Sequence, residues 1–388
     1  MRDVAILGVG MTRFGKFLER SLKELAREAV DAALASAGLG REAVQAAVVG
    51  NAMAGLMSGQ ECVRGQVVLR EIGIGGIPVV NTENACASSS TALHLGWLWV
   101  ASGLHDVVLV LGMEKLFHAD KQRSFRALAG AADVDAIAAY PETRSMFMDY
   151  YADLTRAHMR RFGTTPEQFA AVAVKNHWHG SLNPNAQYRN TCTVDEVLAS
   201  PMIVEPLTRL MCSPIGDGAA ALVVVAGERA RRVGGRPVWM KASVIGSCKE
   251  RGADEPEITE RVAGRAYEMA GIGPDDVDVV ELHDGSAPAE VIAYEHLGLC
   301  PAGEGGRLVA DGETALGGRI PVNPSGGLIA RGHPVGATGA AQVCELVWQL
   351  RGEADRRQVP GARVGLAHNG GGLVQGESAA TVVHVLAT

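Results

Sequence analysis

A basic excess, a long apolar run, paired cysteines and aromatic weight are all missing from this 388-residue chain. With 36 Lys and Arg against 43 Asp and Glu, it carries a formal charge of −7 and no basic block. A nucleic-acid binder draws its affinity from neutralising phosphates, so DNA and RNA are not expected partners. The longest weakly polar stretch, Thr91 to Leu104, is broken by His94 and Ser102 and falls short of the roughly twenty apolar residues needed to span a bilayer. The first residues lack the charged, apolar and small-residue regions of a secretory signal. No membrane association is expected, and the cytoplasm is the expected compartment. Seven cysteines, an odd number, are scattered without a C-x-x-C pair, which suits neither a disulfide framework nor a structural zinc site. No metal site and no tightly bound cofactor are expected.

What the chain does have is glycine, 48 residues of it, and an internal repeat. A strand-like run, Val4 to Val9, leads to a helical pattern from Leu22 to Ala37, closed by Gly38 and followed by the run Val44 to Val49. The same grammar returns later: Val238 to Ile245, a helical pattern from Ile258 to Ala270, Gly271, then Val277 to Leu282. Setting Ala37-Gly38-Leu39 beside Ala270-Gly271-Ile272 brings Val44 onto Val277. The pattern continues with Val79 to Asn84, a small-residue helix from Cys86, and the strand Val107 to Leu111. Its counterpart is Ile320 to Asn323, a Gly-rich turn around His333, a helix through Val343 and Leu350, and the strand Val364 to Leu366. Short apolar strands alternating with amphipathic helices predict an α/β fold with covered sheets. Two halves follow, 1–237 and 238–388, with a stretch at about 115–211 that fits neither repeat and reads as an insertion. Met146, Met148, Tyr150 and Tyr151 in that insertion suit either core filling or a substrate wall.

Three polar spots lie where a strand or Gly-rich turn ends, which is where ligands gather in α/β folds. In Asn84-Ala85-Cys86, the cysteine sits at a helix start, where the macrodipole favours a thiolate nucleophile. A lone Cys also serves as a small buried hydrophobe. Cys62, Cys192, Cys212, Cys248, Cys300 and Cys344 lack such a setting and are expected to pack. His333, between Gly332 and Pro334, is placed as an acid or base, or as a turn residue. His283 and His368 each follow a strand, and Gly370 to Gly372 offer backbone N–H groups suited to an oxyanion or a simple turn. Gly8-x-Gly10 after the first strand hints at a dinucleotide, but Arg13 stands where that fingerprint wants Gly.

Taken in order, Val4 to Gly10, Asn84-Ala85-Cys86, Lys175-Asn176-His177, Ser213 to Ala220, His283-Asp284, Gly332-His333-Pro334 and His368-Asn369 resemble the thiolase superfamily, in its sterol-carrier-protein-type branch. The resemblance implies a five-layered α-β-α-β-α fold of two similar halves with an inserted loop domain, acyl-CoA substrates with coenzyme A as cosubstrate, and a homodimer. It implies Cys86 as the acyl-accepting nucleophile, His333 as its activator and a holder of the thioester oxygen, and His283 in support. The N–H groups of Cys86 and Gly370, with His333, would form the oxyanion sites. Other members carry a second cysteine for the α-carbon proton; here those places hold His368 and Gly285, and His368 is the candidate. Members with an altered catalytic set, as in benzoylsuccinyl-CoA thiolase and the sterol side-chain aldolases, work with a small OB-fold, zinc-bearing partner. A retro-aldol lyase and a non-catalytic acyl-CoA binder therefore stand as alternatives to thiolytic cleavage.

Overall fold

The computed structural model describes residues 1–135, 144–233, 236–252 and 255–388. Residues 136–143, part of the expected insertion, lie outside them. Eleven strands are described: β1 (Val4–Met11), β2 (Ala46–Gly50), β3 (Val79–Thr82), β4 (Val107–Lys115), β5 (Met202–Val204), β6 (Leu207–Thr208), β7 (Asp217–Ala226), β8 (Val238–Ser247), β9 (Val279–Glu281), β10 (Val364–Gly371) and β11 (Ala380–Ala387). Nine form one sheet in the order β3-β2-β4-β7-β1-β8-β11-β10-β9.

The repeat is visible in the pairing. β3, β2 and β4 run parallel, then β7 and β1 follow antiparallel; β9 and β10 run parallel, then β11 and β8 follow antiparallel. β1 meets β8 at the seam, Ala5 opposite Trp239 and Ile6 opposite Val238. Both outer helices end alike. Gly38 and Gly271 adopt the left-handed conformation, their N–H groups reach Ala35 and Glu268, and the next residues, Leu39 and Ile272, bond back to Leu34 and Tyr267. This glycine cap satisfies the last carbonyls without a Cβ penalty. A short 3₁₀ turn follows each cap, at Arg41–Ala43 and Pro274–Asp276, before Val44 and Val277. One expected strand differs. Ile320 to Asn323 makes a single bridge, Val322 to Val280, because Pro321 supplies only a carbonyl and Asn323 turns away with φ of 53°.

The helix Leu22–Ala37 covers the outer face of the first half and Ile258–Ala270 the outer face of the second, each over its own core. Between the two sheet halves lie Ser88–Ala101 and Thr338–Arg351, fourteen residues each. They share a third core with residues of β1, β2, β4 and β7 on one side and of β8, β9, β10 and β11 on the other. The layers therefore alternate α-β-α-β-α, with the β layers joined at the seam. The segment between β4 and β7 carries the helices Lys121–Ala129, Met146–Phe162, Pro166–Leu182 and Val194–Ala199 and the β5-β6 ribbon. No helix among the described residues is long and apolar enough to cross a membrane.

The two central helices cross where Gly339 meets Ser90. A Cβ on Gly339 would lie 2.0 Å from Ser90 Oγ and 2.8 Å from its backbone nitrogen. Cys86 lies just before one helix and His333 just before the other, so this contact sets their separation. Gly339→Ala is expected to cost about 1–3 kcal/mol through overpacking and to lower turnover as well, as read by urea unfolding and an activity assay. An unchanged unfolding midpoint would show that the helices do not meet there.

Candidate active site

Cys86 sits in a 3₁₀ turn, Ala85–Ala87, that runs directly into the helix Ser88–Ala101. Ala85 is held at φ of 46°. The Ser88 hydroxyl accepts from Asn84 N–H at 3.0 Å and donates to the Ala85 carbonyl at 2.6 Å, so the turn is pinned from within. The equivalent turn in the second half, Val335–Ala337, follows His333. It is anchored across the halves: the Glu114 carboxylate accepts from Gly336 N–H at 3.1 Å and from Ala52 N–H at 3.1 Å. Two structurally related turns thus face each other.

Across that gap His333 Nε2 lies 3.3 Å from Cys86 Sγ. Thr338, which the motif reading passed over, decides the tautomer. Its hydroxyl donates to the Pro334 carbonyl at 3.1 Å, so its oxygen is left to accept from His333 Nδ1–H at 2.7 Å. Nε2 then presents a lone pair to the thiol. The His283 ring stands edge-on to His333, centroids 5.1 Å apart. The Cys86 sulfur and one ring nitrogen from each of these histidines lie within 4.8 Å of one another, close enough to trap an added divalent ion.

All four candidate side chains, Cys86, His283, His333 and His368, line one cavity of about 1970 Å³. That exceeds the few hundred Å³ of a compact ligand site and accommodates an extended one. Gly370 and Gly372 also line it. Of the glycine triplet, it is Gly372 whose N–H aims at the sulfur, together with the N–H of Cys86 itself. His368 reaches the cavity from β10; neither of its ring nitrogens has a hydrogen-bond partner among the described residues, and its electrostatic neighbours include Glu257, His296 and His283.

The electrostatics correct one expectation. A helix start favours a thiolate by about 0.3–1 kcal/mol, whereas full burial shifts a group by up to several pKa units. Burial wins here. It pushes the Cys86 thiol up to about 12, against the pull of the Gly372 N–H, with Glu114 adding to the rise. Burial takes His333 down to about 3 and His368 to about 4, and holds His283 well below its ordinary range. The resting site is a neutral thiol beside neutral imidazoles, so proton transfer to His333 has to accompany sulfur attack.

Beneath the site, Lys175, Asn176 and Asn323 all serve buried carboxylates. Lys175 Nζ pairs with Glu290 at 2.7 Å, Asn176 donates to Asp284 at 2.9 Å and to Glu290 at 2.7 Å, and Asn323 donates to Glu290 at 2.7 Å. Asp284 in turn accepts from Leu328 N–H at 2.7 Å. These motif residues scaffold the loops of His283 and His333. Met148, Tyr150 and Tyr151 line the cavity, whereas Met146 is buried. Of the cysteines expected to pack, Cys344 is fully buried, Cys192, Cys212, Cys248 and Cys300 are half-buried, and Cys62 is exposed; it follows the short surface helix Ala54–Ser58, outside any core.

The thiolase N-terminal domain matches residues 4–228, and the thiolase C-terminal domain-like family matches residues 253–386. The chain belongs to the thiolase family. This thiolase is 44% identical to the acetyl-CoA acetyltransferase of Methanothermobacter thermautotrophicus over 96% of its own length and 97% of that protein. It is 39% identical to sterol carrier protein 2 of Gallus gallus (96% and 71% covered) and 38% identical to benzoylsuccinyl-CoA thiolase subunit BbsB of Thauera aromatica (96% and 95%). Among solved structures, the Ltp2-ChsH2(DUF35) aldolase superposes with a TM-score of 0.81 at 27% identity, covering 100% of this chain and 98% of that one. The thiolase is an acyltransferase.

Proposed function

We propose that this thiolase cleaves a 3-oxoacyl-CoA with free CoA, or runs the reverse Claisen condensation, through a thioester on Cys86. The observation that carries this reading is the 3.3 Å approach of His333 Nε2 to Cys86 Sγ inside the cavity. As the sulfur attacks the 3-keto carbon, its proton passes to His333. The N–H groups of Cys86 and Gly370 receive the oxyanion, and His333 with His283 faces the thioester oxygen on which enolate charge develops. Arg13, Lys16, Lys121, Arg189 and Arg209 on the cavity wall suit the phosphates of coenzyme A. We assign residues 1–237 and 238–388 as the two halves, and a homodimer through the first, whose edge strand β3 leaves Val80 exposed and its outer side unpaired.

The likeness to the Ltp2-ChsH2(DUF35) aldolase, and to BbsB, which is named as a subunit, supports a second polypeptide beside this chain, for which the proposed form is a small OB-fold, zinc-bearing protein. It also keeps retro-aldol cleavage as the second reading. The two separate cleanly. With a 3-oxoacyl-CoA and no free CoA, intact-mass spectrometry after acid quench is expected to show one acyl group on Cys86 and an equivalent of released acetyl-CoA. A chain of unchanged mass, with no cleavage even when CoA is added, defeats the proposal; aldehyde or ketone release from a 3-hydroxyacyl-CoA without CoA consumption establishes the lyase instead.

A further inference from the structure

Thiolytic cleavage through acyl-Cys86 needs a second proton donor, because the carbon–carbon bond breaks to an enolate and His333 is already occupied between Cys86 and Thr338. The inference that follows rests on that proposed reaction. Tyr151 lies on the helix Met146–Phe162, and its side chain lines the catalytic cavity. Its hydroxyl is packed against the backbone of Gly285, two residues beyond His283: a Cβ built on Gly285 would fall 2.2 Å from the Tyr151 hydroxyl oxygen and 2.7 Å from Cζ. Glycine is what leaves room for the phenol. The neighbouring Tyr150 hydroxyl donates to the Gly376 carbonyl at 3.2 Å, whereas the Tyr151 hydroxyl bonds to no described residue and is free to meet a ligand.

We infer that Tyr151 is the general acid that protonates the α-carbon of the departing acetyl-CoA enolate. Burial holds its phenol well above the ordinary range. It is therefore protonated at every working pH, but remains a stronger acid than the α-carbon it serves. His368, whose burial lowers it to about 4, is a neutral imidazole at those pH values and so lacks the acidic imidazolium proton.

The steps balance. Cys86 S–H gives its proton to His333 as the sulfur bonds to the 3-keto carbon. The C2–C3 bond breaks, the Tyr151 O–H proton goes to C2, acetyl-CoA leaves, and the phenolate takes up the proton that His333 was holding. The entering CoA thiol gives its proton to His333 as its sulfur attacks the acyl carbon. Cys86 sulfur departs and takes that proton back from His333.

Two assays on one protein test the inference. Exchange of labelled CoA into an acyl-CoA passes through acyl-Cys86 and breaks no carbon–carbon bond. Cleavage of a 3-oxoacyl-CoA requires the α-proton. Tyr151→Phe is expected to lose about 100-fold or more in cleavage, the usual weight of a general acid, and to keep exchange within about 5-fold, roughly 1 kcal/mol. Gly285→Ala, which pushes the phenol aside without removing it, is expected to show the same split. Cleavage by Tyr151→Phe within about 3-fold of the parent overturns the inference, and so does equal loss of both activities in a variant whose thermal midpoint is unchanged. If Tyr151→Phe does not fold, Gly285→Ala decides by the same two readings. Absence of exchange in the unaltered protein sinks the acyl-Cys86 reaction itself, a result distinguishable from failure of Tyr151 alone.

Discussion

Replacing Cys86 with alanine is expected to lower thiolytic kcat by about 10⁴-fold or more, equivalent to about 5.4 kcal/mol of lost transition-state stabilisation. The size follows from the loss of the covalent route: the turn, the cavity and the histidines remain, but no atom within 3.3 Å of His333 Nε2 can accept the acyl group. The alanine side chain fits the same buried space, so the thermal midpoint should hold and substrate should still bind. Steady-state kinetics on 3-oxoacyl-CoA and CoA, with binding measured separately, checks both parts. Turnover within tenfold of the parent would mean that the sulfur is not the acyl carrier. Cys86→Ser should recover little, because a buried hydroxyl is a poorer nucleophile beside a His333 whose burial depresses it to about 3.

The second large effect is on stability against acid. Burial depresses His179, His333 and His384 to about 3 and His368 to about 4, and His283 lies well below its ordinary range. Each binds a proton in the unfolded chain near pH 6.5 and refuses it in the folded one. Each therefore contributes stability that is complete above about pH 6.5 and falls away as pH drops toward the folded value, by at most about 1.4 kcal/mol per pH unit. Three buried carboxyls act the other way. Glu114 and Glu281 are pushed up to about 7 and Asp284 well above its ordinary range, each chiefly by burial, so the folded chain holds protons there that the unfolded chain has lost above about pH 4.5. Between about pH 6.5 and 4.5 the two sets partly offset, and stability should decline only shallowly. Below about pH 4.5 the carboxyls titrate alike in both states and the histidines act unopposed, so the decline steepens. Urea unfolding midpoints from pH 8 to pH 4 measure this directly. A midpoint that stays level down to pH 4 would mean that these rings reach solvent.

The repeat was legible because its punctuation is local chemistry. Gly38 and Gly271 each end a helix by going left-handed, and that requirement shows in the sequence as glycine after an amphipathic run. Cys86 and His333 were legible because each lies beside a small-residue helix after a strand-like run. The state of the thiol was not legible: a helix start suggests an anion, and only the enclosing walls reverse that. Neither was Thr338, whose importance comes from a hydroxyl already committed to the Pro334 carbonyl. Tyr151 was the least readable. It stands in an aromatic stretch that reads equally as filling, and its partner is a missing side chain at Gly285, far along the chain. The strand expected at Ile320 failed for a local reason, since Pro321 cannot donate to a ladder.

The seam where Ala5 faces Trp239 has a mechanical meaning. The proposed nucleophile belongs to one lobe and its proposed base to the other, so the sulfur–nitrogen distance is a caliper reading of how the lobes are seated. A slip of even one ångström along that junction would leave both lobes intact and every side chain in place, yet disengage the reacting pair. Selection on turnover is thereby also selection on the fit of two copies of the same design, and mutations at the junction far from any substrate should register first as lost speed.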